Sequence, residues 1–201
     1  MPAPSSSSAN NLLKAFIYAF EAHSGQFRKG TGIPYIVHPM DVASILMRNM
    51  APEKVVMAGL LHDVVEDTNT PIQRIEQVFG KEVADLVQQA SEPQEYRGED
   101  DTSKRKTWKA RKSSTITKIK GLNYDAKILS CADKLSNIRD MINDLNLMGD
   151  AIWNKFNATK QEQSWYYHTL LEEYSKNPPD ITNQPVYSQF KEAVTTLFPV
   201  S

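Results

Sequence analysis

With 201 residues, 40% hydrophobic content and a net charge of −1, the chain is long enough for one well-buried globular domain and too apolar and balanced to stay unfolded. Near-neutrality excludes a general attraction for nucleic acid or an anionic lipid surface, so a polyanionic ligand would need a local group of basic side chains. The single cysteine, Cys131, excludes an internal disulfide framework, fits a reducing compartment and reads as a small core residue.

The N-terminal stretch is Ser-rich without an apolar h-region, and residues 1–10 are expected to be a flexible tail ahead of a single domain over 11–201. Val55 to Leu61, the longest apolar run nearby, is too short to span a bilayer, so a cytoplasmic protein is expected. Leu12, Leu13, Phe16, Ile17 and Phe20 recur at helical spacing and predict a first helix from about Asn11 to His23–Gly25. Pro39, Pro52 and Pro71 each precede a helical pattern, where a fixed φ and a missing N–H are tolerated. They predict helices from Pro39 to about Asn49, from Pro52 to about Val65, and from Pro71 to Phe79 with Gly80 as the stop. Val83, Leu86 and Val87 predict a short fifth.

Periodicity is then lost, and Ser91 to Thr107 reads as a long charged loop. Trp108 to Lys120 is a basic helix candidate stopped by Gly121. Tyr124 to about Leu145 follows, with Ile128, Leu129, Ala132, Leu135 and Ile138 inward, then a helix over about Trp153 to Lys176 and a last one after Pro185 carrying Phe190, Val194 and Leu197. No alternating run of β-formers stands clear of these, so the fold class is all-α, with about eight to ten helices expected around a cleft.

The most informative stretch is Gly59-Leu60-Leu61-His62-Asp63-Val64-Val65-Glu66-Asp67-Thr68. An ionised carboxylate in an apolar setting is strongly destabilising, so His62-Asp63 after such a run requires a cation or a polar cleft. On one continuous helix, His62, Asp63, Glu66 and Asp67 would share an arc of about 140°. His38, before a helix pattern, and Asp133, in Cys131-Ala132-Asp133-Lys134-Leu135, complete a mixed nitrogen and oxygen donor set. Such a set suits Mn2+, Fe2+, Co2+ or Zn2+ and leaves positions open for water, as in a catalytic rather than a structural centre. Arg28-Lys29, in a Gly- and Pro-bearing stretch before His38, and the cluster Lys104, Arg105, Lys106, Lys109, Arg111 and Lys112 are candidate phosphate grips, the cluster reading equally as a solvated helix face. Asn137, one turn after Asp133, is placed to bond a ribose or a water beside the donors.

The spaced set Arg28-Lys29, Pro34-Tyr35, His38-Pro39, then Leu60 to Thr68, then Ala132-Asp133-Lys134-Leu135-Ser136-Asn137-Ile138-Arg139-Asp140 resembles the hydrolase domain of the RelA/SpoT homologues. With no room for a synthetase domain after Ser201, the chain is most similar to their single-domain branch, the small alarmone hydrolases. The resemblance implies an HD-domain fold that uses Mn2+ to remove pyrophosphate from the 3′ position of ppGpp or pppGpp. It implies His38, His62, Asp63 and Asp133 as metal ligands and Glu66 and Asp67 as the residues managing the attacking water. Arg28, Lys29, Tyr35 and Asn137 would hold the guanosine tetra- or pentaphosphate, joined by Lys109 and Arg111 from a Trp-x-x-Arg-Lys run and by Tyr166 from an aromatic-rich segment. Two alternatives stand beside it. One is an HD phosphohydrolase acting on another nucleotide, such as the 2′-phosphate of NADPH. The other is a non-catalytic nucleotide sensor or RNA-binding module, against which the intact Glu66-Asp67 pair speaks. No membrane or nucleic-acid partner is expected, and oligomeric state is left open.

Overall fold

The structure is a computed structural model and describes residues 6–91 and 101–199. Among the described residues there are ten α-helices and one 3-10 helix; Phe27 and Pro34 form an isolated bridge and no strand is present. No helix among them is long and apolar enough to cross a membrane. The chain divides into two compact units, residues 1–91 and 92–201, each described by itself.

The first unit holds α1 (Ser6–Ala22), α2 (Val37–Arg48), α3 (Glu53–Leu61), α4 (Val64–Asp67), α5 (Ile72–Phe79) and α6 (Lys81–Ala90). Helix α1 begins ahead of its expected start at Asn11, and residues 1–5 of the expected tail lie outside the described residues. Helix α3 is the hub and packs against α1, α2 and α6. Every residue from Val55 to Leu61 is buried, the signature of a helix surrounded on all sides. The apolar run therefore delivers the His62-Asp63 pair from the centre of the unit.

The expected continuous helix from Pro52 to Val65 is broken at that pair. The His62 Nδ1–H donates to the Gly59 carbonyl at 2.9 Å, the acceptor that an unbroken helix offers to the Asp63 N–H. Asp63 then settles at φ −90°, ψ −11°, and a fresh turn starts at Val64, with Asp67 N–H bonded to Asp63 O at 2.8 Å. The predicted shared arc on one helix is thus replaced by two short helices hinged at the chemistry.

The second unit holds α7 (Asp101–Ile119), α8 (Tyr124–Met148), the 3-10 helix η1 (Gly149–Lys155), α9 (Lys160–Lys176) and α10 (Pro185–Leu197). Helix α8 packs on α10 and η1, while α9 packs on α7 and α10. Two boundaries depart from the sequence expectation. Residues 101–107, assigned to the loop, form the first turns of α7, because a lysine- and arginine-rich stretch is helix-favouring even without an apolar stripe; residues 92–100 lie outside the described residues. The expected helix from Trp153 starts only at Lys160, where Thr159 and Glu162 form a reciprocal capping box.

Asn123 caps α8 by accepting from Ala126 N–H at 2.9 Å, and Gly149, at φ 60°, ends it. Lys127 is fully buried in this helix and donates through Nζ to the carbonyls of Asn177 and Pro179, capping the chain beyond α9. Replacing it with methionine keeps the stem but strips two part-buried carbonyls of their donor. We predict a loss of about 1–3 kcal/mol in urea unfolding; an unchanged midpoint would show the carbonyls are satisfied otherwise.

Candidate metal centre

In the first unit, residues 23–36 form a tight returning loop between α1 and α2. Arg28 N–H donates to Ile33 O at 2.8 Å, Tyr35 N–H donates to Gln26 O at 2.9 Å, and Thr31 Oγ1 donates to Arg28 O at 2.9 Å. Gly30 sits at φ 71°, a conformation open to glycine at no cost, which lets the turn close. This places exposed Lys29 and half-buried Arg28 at the tip, and returns Tyr35 and His38 to the hinge after α3.

His38 and His62 are both buried, 3% and 4% exposed, with ring centroids 5.2 Å apart. His62 Nε2 lies 3.1 Å from Asp63 Oδ1, and His38 Nε2 lies 3.5 Å from Asp63 Oδ2. His62 Nδ1–H is given to Gly59 O, so Nε2 is the ring atom turned to the Asp63 carboxylate. A ring nitrogen and a carboxylate oxygen this close can share one cation, and a backbone carbonyl orienting the far nitrogen is how metal-binding imidazoles are held. The donor set therefore fits a divalent cation, without distinguishing Mn2+ from Fe2+, Co2+ or Zn2+.

Asp63 is linked onward. Tyr35 Oη lies 2.7 Å from Asp63 Oδ2 and 2.8 Å from Asp67 Oδ2. Burial, then the negative charges of Asp63 and Asp67, push the phenol well above its ordinary range, so it stays protonated. The Asp67 side chain keeps a solvent-exposed edge, yet desolvation and the charge of Asp63 raise its carboxyl; the Tyr35 bond, His23 and His62 oppose this. Glu66 is half-buried on the same short helix.

Sequence reasoning missed two supports. His23, which reads from sequence as a helix end, is 3% exposed and lies against Tyr35, ring centroids 4.7 Å apart and planes tilted by 32°. Its Nδ1 is 2.8 Å from Gln26 Oε1, while Gln26 Nε2 donates to Asp67 O at 2.9 Å. A histidine and a glutamine three residues apart, just ahead of Arg28-Lys29, were the only available signal.

In the second unit, both oxygens of Asp133 are engaged: Asn137 Nδ2 donates to Oδ1 at 2.6 Å, and Lys134 Nζ donates to Oδ2 at 2.5 Å. Asn137 thus orients the carboxylate, and the neighbouring Asp133 charge keeps the Lys134 ammonium protonated against its burial. Tyr166 is buried, with its ring edge-on to Trp108 at 6.1 Å and Lys112 over its face at 5.3 Å; its hydroxyl has no hydrogen-bond partner among the described residues. Exposed Lys109 lies over Trp165 at 5.7 Å, Arg111 is half-buried on α7, and the Lys104 side chain is outside the description. Within the first unit His38, His62, Asp63, Tyr35 and Asp67 form one connected group, and within the second Asp133 is bonded to Asn137 and Lys134.

Histidines paired with aspartate at a helix hinge are a group that could hold a metal ion, and residues 15–163 match the family model described as HD domain, HD_4. The chain is 38% identical over 138 residues to guanosine-3′,5′-bis(diphosphate) 3′-pyrophosphohydrolase MESH1 of Danio rerio, covering 67% of this chain and 71% of that one. It is 49% identical over 80 residues, 40% of its length, to the bifunctional (p)ppGpp synthase/hydrolase SpoT of Escherichia coli K12, and spans only 11% of that longer protein. A crystal structure of lmo0812 from Listeria monocytogenes EGD-e superimposes with a TM-score of 0.68 at 35% identity, covering 81% of this chain and 99% of the other. The chain belongs to the HD-domain family and, within it, to the group of the MESH1 hydrolases.

Proposed function

We propose that this protein is a cytoplasmic, metal-dependent hydrolase that removes the 3′-pyrophosphate of guanosine 3′,5′-bis(diphosphate) and its 5′-triphosphate analogue, leaving GDP or GTP. The observation that carries the reading is the pair of buried imidazole Nε2 atoms directed at one aspartate, itself bridged to a second carboxylate, in a chain that aligns with a named 3′-pyrophosphohydrolase over 138 residues. His38, His62 and Asp63 would hold the cation together with Asp133; the family match running from residue 15 to 163 takes in all four and supports a single HD-type domain. Mn2+ is the ion we propose, and when bound it would supply Lewis acidity toward phosphoryl oxygen and acidify water.

The reaction breaks the bond between the ribose 3′ oxygen and the nearer phosphorus of the diphosphate, and water supplies the new oxygen on that phosphorus. Glu66 and Asp67 would orient the water and take its proton, a role that asks for a carboxyl within hydrogen-bond reach. The same proton balance is met when the 3′ oxygen leaves as a hydroxyl. Arg28 and Lys29 at the loop tip, with Lys109 and Arg111 on α7, would neutralise phosphoryl charge, the main protein contribution in phosphoryl transfer. Tyr166, ring edge-on to Trp108, would contact the nucleotide through its hydroxyl, unpartnered among the described residues.

The test is a product balance. With purified protein, Mn2+ and ppGpp, pyrophosphate and GDP should accumulate in equal amounts, with inorganic phosphate absent. Phosphate release from NADPH or a nucleoside phosphate, without pyrophosphate from ppGpp, would assign the same centre to the alternative substrate.

A further inference from the structure

Tyr35 resembles a substrate contact by its place in the motif, but its hydroxyl is occupied by two carboxylates at 2.7 and 2.8 Å. A phenol has one proton and donates to one acceptor fully at a time. At nearly equal distances, that proton is shared between Asp63 and Asp67, and it offsets the repulsion of two like charges that would otherwise separate.

The ring cannot turn away from them. Tyr35 N–H is bonded to Gln26 O, its ring lies against His23 at 4.7 Å with a tilt of 32°, and the Arg28 guanidinium lies 5.7 Å from its centroid. His23 is tied to Gln26 Oε1, and the Gln26 amide donates to the Asp67 carbonyl. His23, Gln26, Asp67 and Tyr35 thus close a ring of contacts joining the end of α1, the returning loop and α4. Asp67, despite its exposed edge, is held at both backbone and side chain.

We propose that Tyr35 is a positioning residue: its hydroxyl ties the metal-ligand carboxylate of Asp63 to the water-handling carboxylate of Asp67 and fixes the geometry of both, with His23 and Gln26 as its platform. This rests on the hydrolase reading above. The consequence is that Tyr35 acts on the rate and on metal affinity, and leaves nucleotide affinity alone.

Tyr35→Phe keeps the ring on His23 and removes only the hydroxyl. At saturating Mn2+, kcat for ppGpp should fall by about 10–100-fold, the usual cost of losing a partner that orients a ligand, with KM within about twofold. Mn2+ affinity, read without nucleotide from the paramagnetic resonance of free Mn2+, should weaken by about tenfold. A raised KM with unchanged kcat and Mn2+ affinity would make Tyr35 a substrate contact and overturn the proposal, as would wild-type values throughout. Failure of the hydrolase reading would show separately, as wild-type protein that binds Mn2+ and releases no pyrophosphate. Should Tyr35→Phe not fold, as judged by melting in EDTA, His23→Phe keeps the stack and deletes the bond to Gln26. It should move Mn2+ affinity and kcat in the same direction by a smaller factor, and no change in either would contradict the platform.

Discussion

Asp63→Ala is expected to abolish turnover, by on the order of a thousandfold or more, well beyond the 10–100-fold typical of losing an orienting partner. The reason is that Asp63 serves every other group of the centre at once. One oxygen faces His62 Nε2 at 3.1 Å, while the other faces His38 Nε2 at 3.5 Å and accepts from Tyr35 at 2.7 Å. Without it, two imidazoles remain and the divalent ion loses its anionic ligand in this unit. Metal content after dialysis should drop accordingly. The fold should survive, because the deletion removes a charge crowded against Asp67 and leaves the buried run Val55–Leu61 untouched. A variant that retains both metal and activity would remove the HD pair from the chemistry.

Asp67→Asn is expected to separate chemistry from metal binding. It should keep the ion and lower kcat by about 10²–10⁴-fold, the range for losing a general acid or base. The same variant carries a stability signature with a definite sign. The free carboxyl titrates near 3.8, and in the folded protein desolvation and Asp63 raise it, so the native state binds this proton more tightly than the unfolded chain does. The stabilisation from that proton is full below the unfolded value and is lost as pH rises through the folded one. In EDTA, wild type should therefore lose stability relative to Asp67→Asn over that interval and stay the less stable above it. Parallel stability curves across the interval would show that Asp67 is not crowded by Asp63.

How much of this was legible in the sequence follows from what kind of force set each feature. The helices came through, because an apolar stripe such as Ile128 to Ile138 is the burial pattern itself, and the prolines before α3 and α5 mark their starts. The stripe Leu12 to Phe20 located α1 but not its core face, since Leu13, Ile17 and Phe20 are exposed and Ala15 and Ala19 are buried. The break at His62 did not, since it depends on an imidazole capturing the Gly59 carbonyl, a choice periodicity cannot register. The late start of α9 was readable in principle from Thr159-x-x-Glu162 and was overlooked beside the aromatic pattern of Trp153. Lys127 was hidden because a lysine counts as outward-facing until two carbonyls are found at its tip.

The donor residues and their expected use were legible, and the contacts that support them were not. Tyr35 stands in the motif as a conventional nucleotide contact, and only tertiary structure joins it to carboxylates 28 and 32 residues away. Asn137 reads as a partner for a ribose or a water from its spacing, and in the structure its amide also donates to Asp133 Oδ1. In both cases a polar side chain near a charged centre had two uses, and which one it serves is set by packing that a linear pattern does not carry.

Anomalous scattering at the manganese edge from crystals soaked in Mn2+ would test the central claim most directly. The account predicts one strong peak within coordination distance of His38 Nε2, His62 Nε2 and the carboxylates of Asp63 and Asp133. A soaked crystal with no peak there, or with His38 or Asp133 directed elsewhere while the ion rests on other groups, would contradict it.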